Sequence, residues 1–231
     1  MRVLSVTHGP TVPGGVFDEV AIAAGHELER WSVPDGDPPA SPGSYGAVMV
    51  FGGSMHPDED ERFPWLEREA AFLREALAEG VPAIGVCLGA QLLARAGGGR
   101  VRPAAEPEIG WLAVELTDAG RDDPVLSALG SAAQAFQWHR YTYDLPPGAV
   151  ELARSPVCTQ AFRLGNAWGL QFHAEVTLPM LRAWAEEDPD DLPGPAEELL
   201  AESERRIAAW NAQGRELAAR FLDLAQQARS G

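Results

Sequence analysis

Lysine is absent from the 231 residues, so all 18 cationic side chains belong to arginine. Schiff-base chemistry on a lysine and the lysine of a phosphate-binding P-loop are thereby excluded. Positive charge is scarce in general: 34 acidic residues against those 18 leave a net charge of −16. Nucleic-acid binding needs clustered cations to displace counterions, so a polyanion partner is not expected. Cysteine is limited to Cys87 and Cys158, too few for a disulfide framework and suited to a reducing cytoplasm. No apolar run approaches the roughly eighteen residues of a membrane span. The apolar part of the N-terminus is too short for a signal peptide. What is abundant is core-forming material, at 45% hydrophobic residues, enough for one or two domains. These absences predict a soluble, acidic, intracellular globular protein.

Short apolar runs alternate with helical patterns, which predicts an α/β fold with a mostly parallel sheet. Strands are expected at residues 2–7, 27–33, 47–51 and 81–86, with a Pro- and Gly-rich loop over 34–44. Leu66, Ala70, Leu73 and Leu77 repeat at helical spacing between Pro64 and Gly80, a start and a stop signal. A second helix is expected from Leu88 to Ala96, ended by Gly97-Gly98-Gly99. The middle of the chain turns strand-rich, with runs at 111–117, 133–139, 150–154, 159–164 and 167–172 that predict hairpins appended to the sheet. Beyond Pro189 an apolar stripe from Leu200 to Leu224 recurs at three- and four-residue spacing. Residues 1–189 are thus read as the main domain, and 190–231 as a C-terminal helical extension packed on it.

The segment Gly85-Val86-Cys87-Leu88-Gly89 joins an apolar strand to a helix with almost no loop. Such a turn is sharp, and glycines on either side permit it. The arrangement parallels the nucleophile elbow, where the reactive atom stands above the sheet. A thiol at a helix N-terminus is drawn towards thiolate, and the Leu88 amide is placed to stabilise an oxyanion. A buried structural cysteine fits the same five residues, so the motif leaves both readings open.

A cysteine nucleophile needs a base and a group that orients the base. His173 ends the strand Gly169-Leu170-Gln171-Phe172, and Glu175 follows two positions later, able to accept the second imidazole N–H. Phe51-Gly52-Gly53-Ser54 follows the third strand, where bare backbone amides would approach a substrate and complete an oxyanion hole with Leu88. Gln137-Trp138-His139-Arg140-Tyr141 ends another strand in a cluster fit either to line a pocket or to split between core and surface. His8 closes the first strand at the border of the same region or in a structural role. Cys158 reads as a small packed residue. Neither a metal site nor a cofactor is expected.

At Gly52-Gly53, at the Cys87 elbow through Gln91, at Gln137-Trp138-His139 and at Gln171-Phe172-His173-Ala174-Glu175-Val176, the sequence resembles the class I (triad) glutamine amidotransferases. More narrowly, it is similar to the free-standing subgroup related to the glutaminase domain of GMP synthase, in which Glu108-Ile109-Gly110-Trp111 and a C-terminal helical extension also recur. The resemblance implies a flavodoxin-like fold with helices on both faces of an open sheet. It places Cys87 as nucleophile, His173 as base and Glu175 as orienter. It assigns glutamine contacts to Gln91 and to the backbone around Gly53 and Leu88, with Gly52, His139 and Arg140 in the surrounding pocket. The activity implied is release of ammonia from the glutamine side chain through a Cys87 thioester, the possible acceptor being a separate synthase subunit. A stand-alone γ-glutamyl peptidase and a non-enzymatic regulatory module are the alternatives. Two departures stand out. Ala174 replaces the usual proline between His and Glu, and Arg140-Tyr141 replaces a glycine and an acidic residue, which bears on substrate choice.

Overall fold

The computed structural model describes residues 1–130 and 132–228. Its strands are β1 (Arg2–Thr7), β2 (Glu27–Ser32), β3 (Ala47–Val50), β4 (Ala83–Val86), β5 (Val101–Leu116), β6 (Ala132–Tyr143), β7 (Val150–Arg154), β8 (Thr159–Leu164) and β9 (Ala167–Leu170). They form one sheet in the order β2-β1-β3-β4-β9-β8-β7-β5-β6. The first five are mutually parallel and follow the flavodoxin-like order, whereas β8, β7, β5 and β6 continue the same sheet by antiparallel pairing. The expected hairpins are therefore an extension of the sheet itself.

Parallel strands covered on both faces must be apolar at every position, and β3 and β4 are buried throughout. Alternation divides their side chains between two cores. Val3, Ala47, Met49 and Ile84 face one. Leu4, Val48, Val50 and Ala83 face the other. The second core is closed by α2 (Trp65–Ala78) and α3 (Leu88–Ala96), whose Leu66, Leu73, Leu92 and Leu93 are buried. Pro64 precedes α2, and Gly80 ends the turn after it with φ 69°, as the start and stop signals predict.

The first core is closed by α1 (Gly15–Ala23), α5 (Leu178–Glu187) and α6 (Ala196–Ala228). A short α4 (Asp118–Asp122) follows β5. The apolar stripe beyond Pro189 is a single 33-residue helix, which buries Ser203, Ile207, Trp210, Gly214, Leu217 and Phe221. Helices α1 and α5 have no counterpart among the elements expected from sequence. Both are short, and proline- or glycine-rich entries at Pro13-Gly14 and Leu178-Pro179 disguise their starts. Strand β5 begins ten residues earlier than expected. Pro103 and Pro107 read as strand breakers, but this stretch pairs only with β6 at the sheet's end, and the register shifts between Pro103 and Glu108.

Helix α6 is pressed onto the loop that follows β9. A Cβ on Gly214 would overlap the Ala174 carbonyl, while Trp210 Nε1 donates to His173 O at 2.8 Å and Asn211 Nδ2 to Val176 O at 2.6 Å. Gly214→Ala is accordingly expected to lift the helix from that loop and to destabilise the fold by about 1–3 kcal/mol, as overpacking does. Urea denaturation checks this, and an unchanged midpoint would contradict the close approach.

Candidate active site

In open α/β sheets, ligand sites form beyond the carboxyl ends of the strands. Here His8 follows β1, Gly52-Gly53 follows β3, Cys87 follows β4 and His173 follows β9, all on one edge. His8, Gly53, Cys87 and His173 border a cavity of about 380 Å³ that also meets Gln91, Trp138, His139, Arg140 and Tyr141.

Cys87 is the sole non-glycine residue with positive φ among the described residues, at φ 52° and ψ −109°. This backbone strain, of the order of 1–3 kcal/mol, is typical of functional turns. Glycine makes it geometrically possible. A Cβ on Gly85 would lie 2.5 Å from the Gly89 carbonyl, and one on Gly89 would overlap Val50 O. The helix can therefore start directly on the strand ends, with Gln91 N–H bonded to Cys87 O at 3.0 Å. Cys87 is 6% exposed, and its Sγ lies 3.7 Å from Trp138 O.

His173 leaves the sheet at the end of β9, and its amide donates to Phe136 O at 2.9 Å. Its Nδ1 meets Glu175 Oε1 at 2.8 Å, with both side chains buried. Burial alone lowers the imidazole's affinity for a proton. The Glu175 carboxylate and the neighbouring Cys87 sulfur outweigh that and raise the pKa to about 10. Gly52 lies close to both side chains: a Cβ there would sit 3.1 Å from His173 Cε1 and 3.8 Å from Cys87 Cβ.

The loop carrying His173 and Glu175 is held from three sides. Val16 N–H donates to Glu175 O at 2.9 Å at the start of α1, and Trp210 and Asn211 reach it from α6. Trp184 of α5 packs edge-on against the His173 ring, 4.8 Å between centres, and its Nε1 donates to Thr11 O. None of these supports was visible in the sequence, because each comes from a segment remote from the loop.

Gln91 Nε2 donates to Tyr141 O at 2.9 Å, and His139 Nδ1 donates to the same carbonyl at 3.0 Å. Two donors therefore converge on this one carbonyl. Arg140 reaches across the cavity rim to Asp191, with Nε at 3.0 Å and Nη2 at 2.7 Å from Oδ1. Its charge is thus engaged within the protein. His56 stacks on Tyr141 at 4.3 Å between ring centres, a second rim contact.

One cluster of potential metal ligands occurs among the described residues, formed by Glu108, His139 and Cys158. Its Glu108 carboxylate is already engaged. Glu108 Oε2 accepts from Gln160 Nε2 at 2.7 Å and Cys158 Sγ at 3.4 Å, and lies 3.2 Å from His139 Nε2. Burial, with Glu108 alongside, pushes the Cys158 thiol up to about 12, in keeping with a packed residue.

A raised His173 pKa has a consequence for titration. With Glu175 replaced by glutamine, the carboxylate that favours the imidazolium is gone and the pKa falls. NMR of the ring should show His173 protonated through neutral pH in the wild type, and losing its proton at lower pH in Glu175→Gln. Any stability from this pair is complete below about 6.5 and is lost as pH rises through about 10. Identical titration of both proteins would contradict the pairing.

Residues 23–182 match the family model described as "Glutamine amidotransferase class-I". The glutamine amidotransferase-like protein YfeJ of Salmonella typhimurium is 30% identical over 230 residues, covering 96% of each chain. A subunit of the glutamine-hydrolysing GMP synthase of Ignicoccus hospitalis is 32% identical over 143 residues, covering 60% of this chain and 71% of that one. A crystal structure of a glutamine amidotransferase from Thermotoga maritima superimposes with a TM-score of 0.88 at 29% identity, covering 96% of this chain and 98% of that one. With the elbow, the glycine pair and the His–Glu pair gathered at one edge of a flavodoxin-like sheet, the chain belongs to the class I glutamine amidotransferase family.

Proposed function

We propose that the protein hydrolyses the side-chain amide of glutamine through a Cys87 thioester. Convergence of Cys87 and His173 on one cavity, from the ends of β4 and β9, with Glu175 buried behind the imidazole and bonded to its Nδ1, is the observation that carries this reading. The proton of the Cys87–His173 pair resides on His173, and Cys87 Sγ attacks the amide carbon. Negative charge collects on the former carbonyl oxygen, where the Gly53 and Leu88 amides would receive it. His173, kept cationic by Glu175, then protonates the departing nitrogen, and ammonia leaves. In the second half of the cycle His173 takes a proton from water, which attacks the thioester and releases glutamate.

The likeness to a free-standing GMP synthase subunit supports delivery of the ammonia to a separate synthase partner, with residues 190–231 part of the glutaminase unit. Arg140 bears on the competing γ-glutamyl peptidase reading. Its guanidinium is already paired with Asp191, which disfavours it as the clamp for an extra carboxylate on a larger substrate. A purely regulatory role would leave no reason for the strained cysteine turn.

Cys87→Ala should lower ammonia and glutamate release by several orders of magnitude, since loss of a nucleophile removes the covalent route altogether. It should also abolish labelling by a glutamine-analogue electrophile. Unchanged ammonia release would overturn the assignment. Arg140→Gly should affect glutamine and γ-glutamyl dipeptides alike, and a selective loss on the dipeptides would favour the peptidase reading.

A further inference from the structure

We infer that His8 and Glu69 form a positioning pair that sets the oxyanion-binding peptide between Gly52 and Gly53. The inference deepens the hydrolytic reading above and rests on it for its kinetic test. His8 follows β1 and Glu69 lies on α2, and the two side chains are fully buried against each other. His8 Nδ1 lies 2.8 Å from Gly52 O, and Nε2 lies 2.8 and 3.0 Å from the two Glu69 oxygens. A carbonyl oxygen can only accept, so Nδ1 carries a proton. Trp65 stacks on the ring at 5.6 Å between centres and keeps it in this plane.

A trans peptide is planar, and its C=O and N–H point in opposite directions. Holding Gly52 O against His8 therefore turns the Gly53 N–H to the opposite side. On that side lies the cavity, with Cys87 and His173 across Gly52 and the start of α3 beside Gly53. Glycine at both positions leaves this peptide free to rotate, because neither residue has a Cβ to bar the alternative orientation. The hydrogen bond from His8 supplies the missing restraint. Glu69 keeps that imidazole from turning its donor elsewhere, and together with the bond to Gly52 it outweighs the effect of burial and raises the His8 pKa. Both side chains have no exposed surface. The pair acts through the backbone of β3's exit loop.

The test compares His8→Leu with His8→Asn, both in a Glu69→Gln background so that no buried carboxylate loses its partner. Leucine and asparagine are close in size, but only asparagine retains a donor near the position of Nδ1. For His8→Leu, the kcat for ammonia release should fall about 10²–10³-fold, as on loss of an oxyanion donor, with KM little changed. His8→Asn should recover most of that loss. Alkylation of Cys87 by iodoacetamide, which forms no oxyanion, should proceed alike in all variants. Equal kcat for the two variants, or alkylation that falls in step with kcat, would overturn the inference.

A second readout needs neither turnover nor a foldable variant. In the wild-type protein, NMR should detect a slowly exchanging His8 Nδ1 proton together with a single Gly53 amide resonance. Absence of that ring proton would overturn the inference. A wild type that shows it but releases no ammonia from glutamine would count against the hydrolytic reading alone.

Discussion

Between β4 and α3 the chain reverses through one residue, Cys87, in the left-handed region at φ 52°. An L-residue adopts that conformation at a cost, and the rest of the site exists because the fold enforces it. Val86 is buried in the sheet, Leu88 is buried in the core beneath α3, and Gly85 and Gly89 let strand and helix touch at distances no side chain would allow. Relaxing the turn would require pulling α3 away from β3, since Gly89 lies directly over the Val50 carbonyl. The strain is thus balanced by packing on both sides. It leaves the sulfur facing the cavity at the start of a helix.

The partner half of the site depends on reinforcement of a different kind. Residues 173–176 have left the sheet, so their backbone groups must find partners elsewhere. They find them on β6, on α1 and on α6, through Phe136 O, Val16 N and the side chains of Trp210 and Asn211. The long closing helix consequently does more than cover one face of the sheet. It fixes the height of His173 above the strand ends, and Trp184 fixes the ring from the side.

Three buried histidines surround the cavity, and each faces a glutamate: His8 with Glu69, His139 with Glu108 and His173 with Glu175. Buried ion pairs add little to stability in general, because desolvation offsets most of their attraction. Their geometry explains their presence better. His8 also binds Gly52 O, and His139 also binds Tyr141 O, so in both cases the glutamate orients a ring whose other nitrogen holds a loop carbonyl. Glu108, held below the usual carboxylate range despite its burial by His139 and neighbouring donors, behaves as a charged partner. His173 differs in that its second edge faces the cysteine. The same two-residue device thus serves backbone placement twice and, in the proposed cycle, proton transfer once.

Local pattern was enough to reveal the parallel strands, α2, α3 and the elbow, because buried runs, helical spacing and glycine punctuation are properties of neighbouring residues. Cys87, His173 and Glu175 stood out as candidates for the same reason: each lies in a short motif at or just beyond a strand end. Short helices α1 and α5, the early part of β5 and the fusion of hairpins into one nine-stranded sheet were not, since long-range packing overrides the prolines and glycines that obscure them. Nor could spacing show that His8 meets Glu69, that Arg140 is taken up by Asp191, or that Trp210 grips His173. Those contacts join residues 37 to 61 positions apart. Local composition was sufficient to mark which side chains could do chemistry. Which of them meet, and which charges are already spent on one another, was settled when sheet order and helix packing set distances that no local pattern encodes.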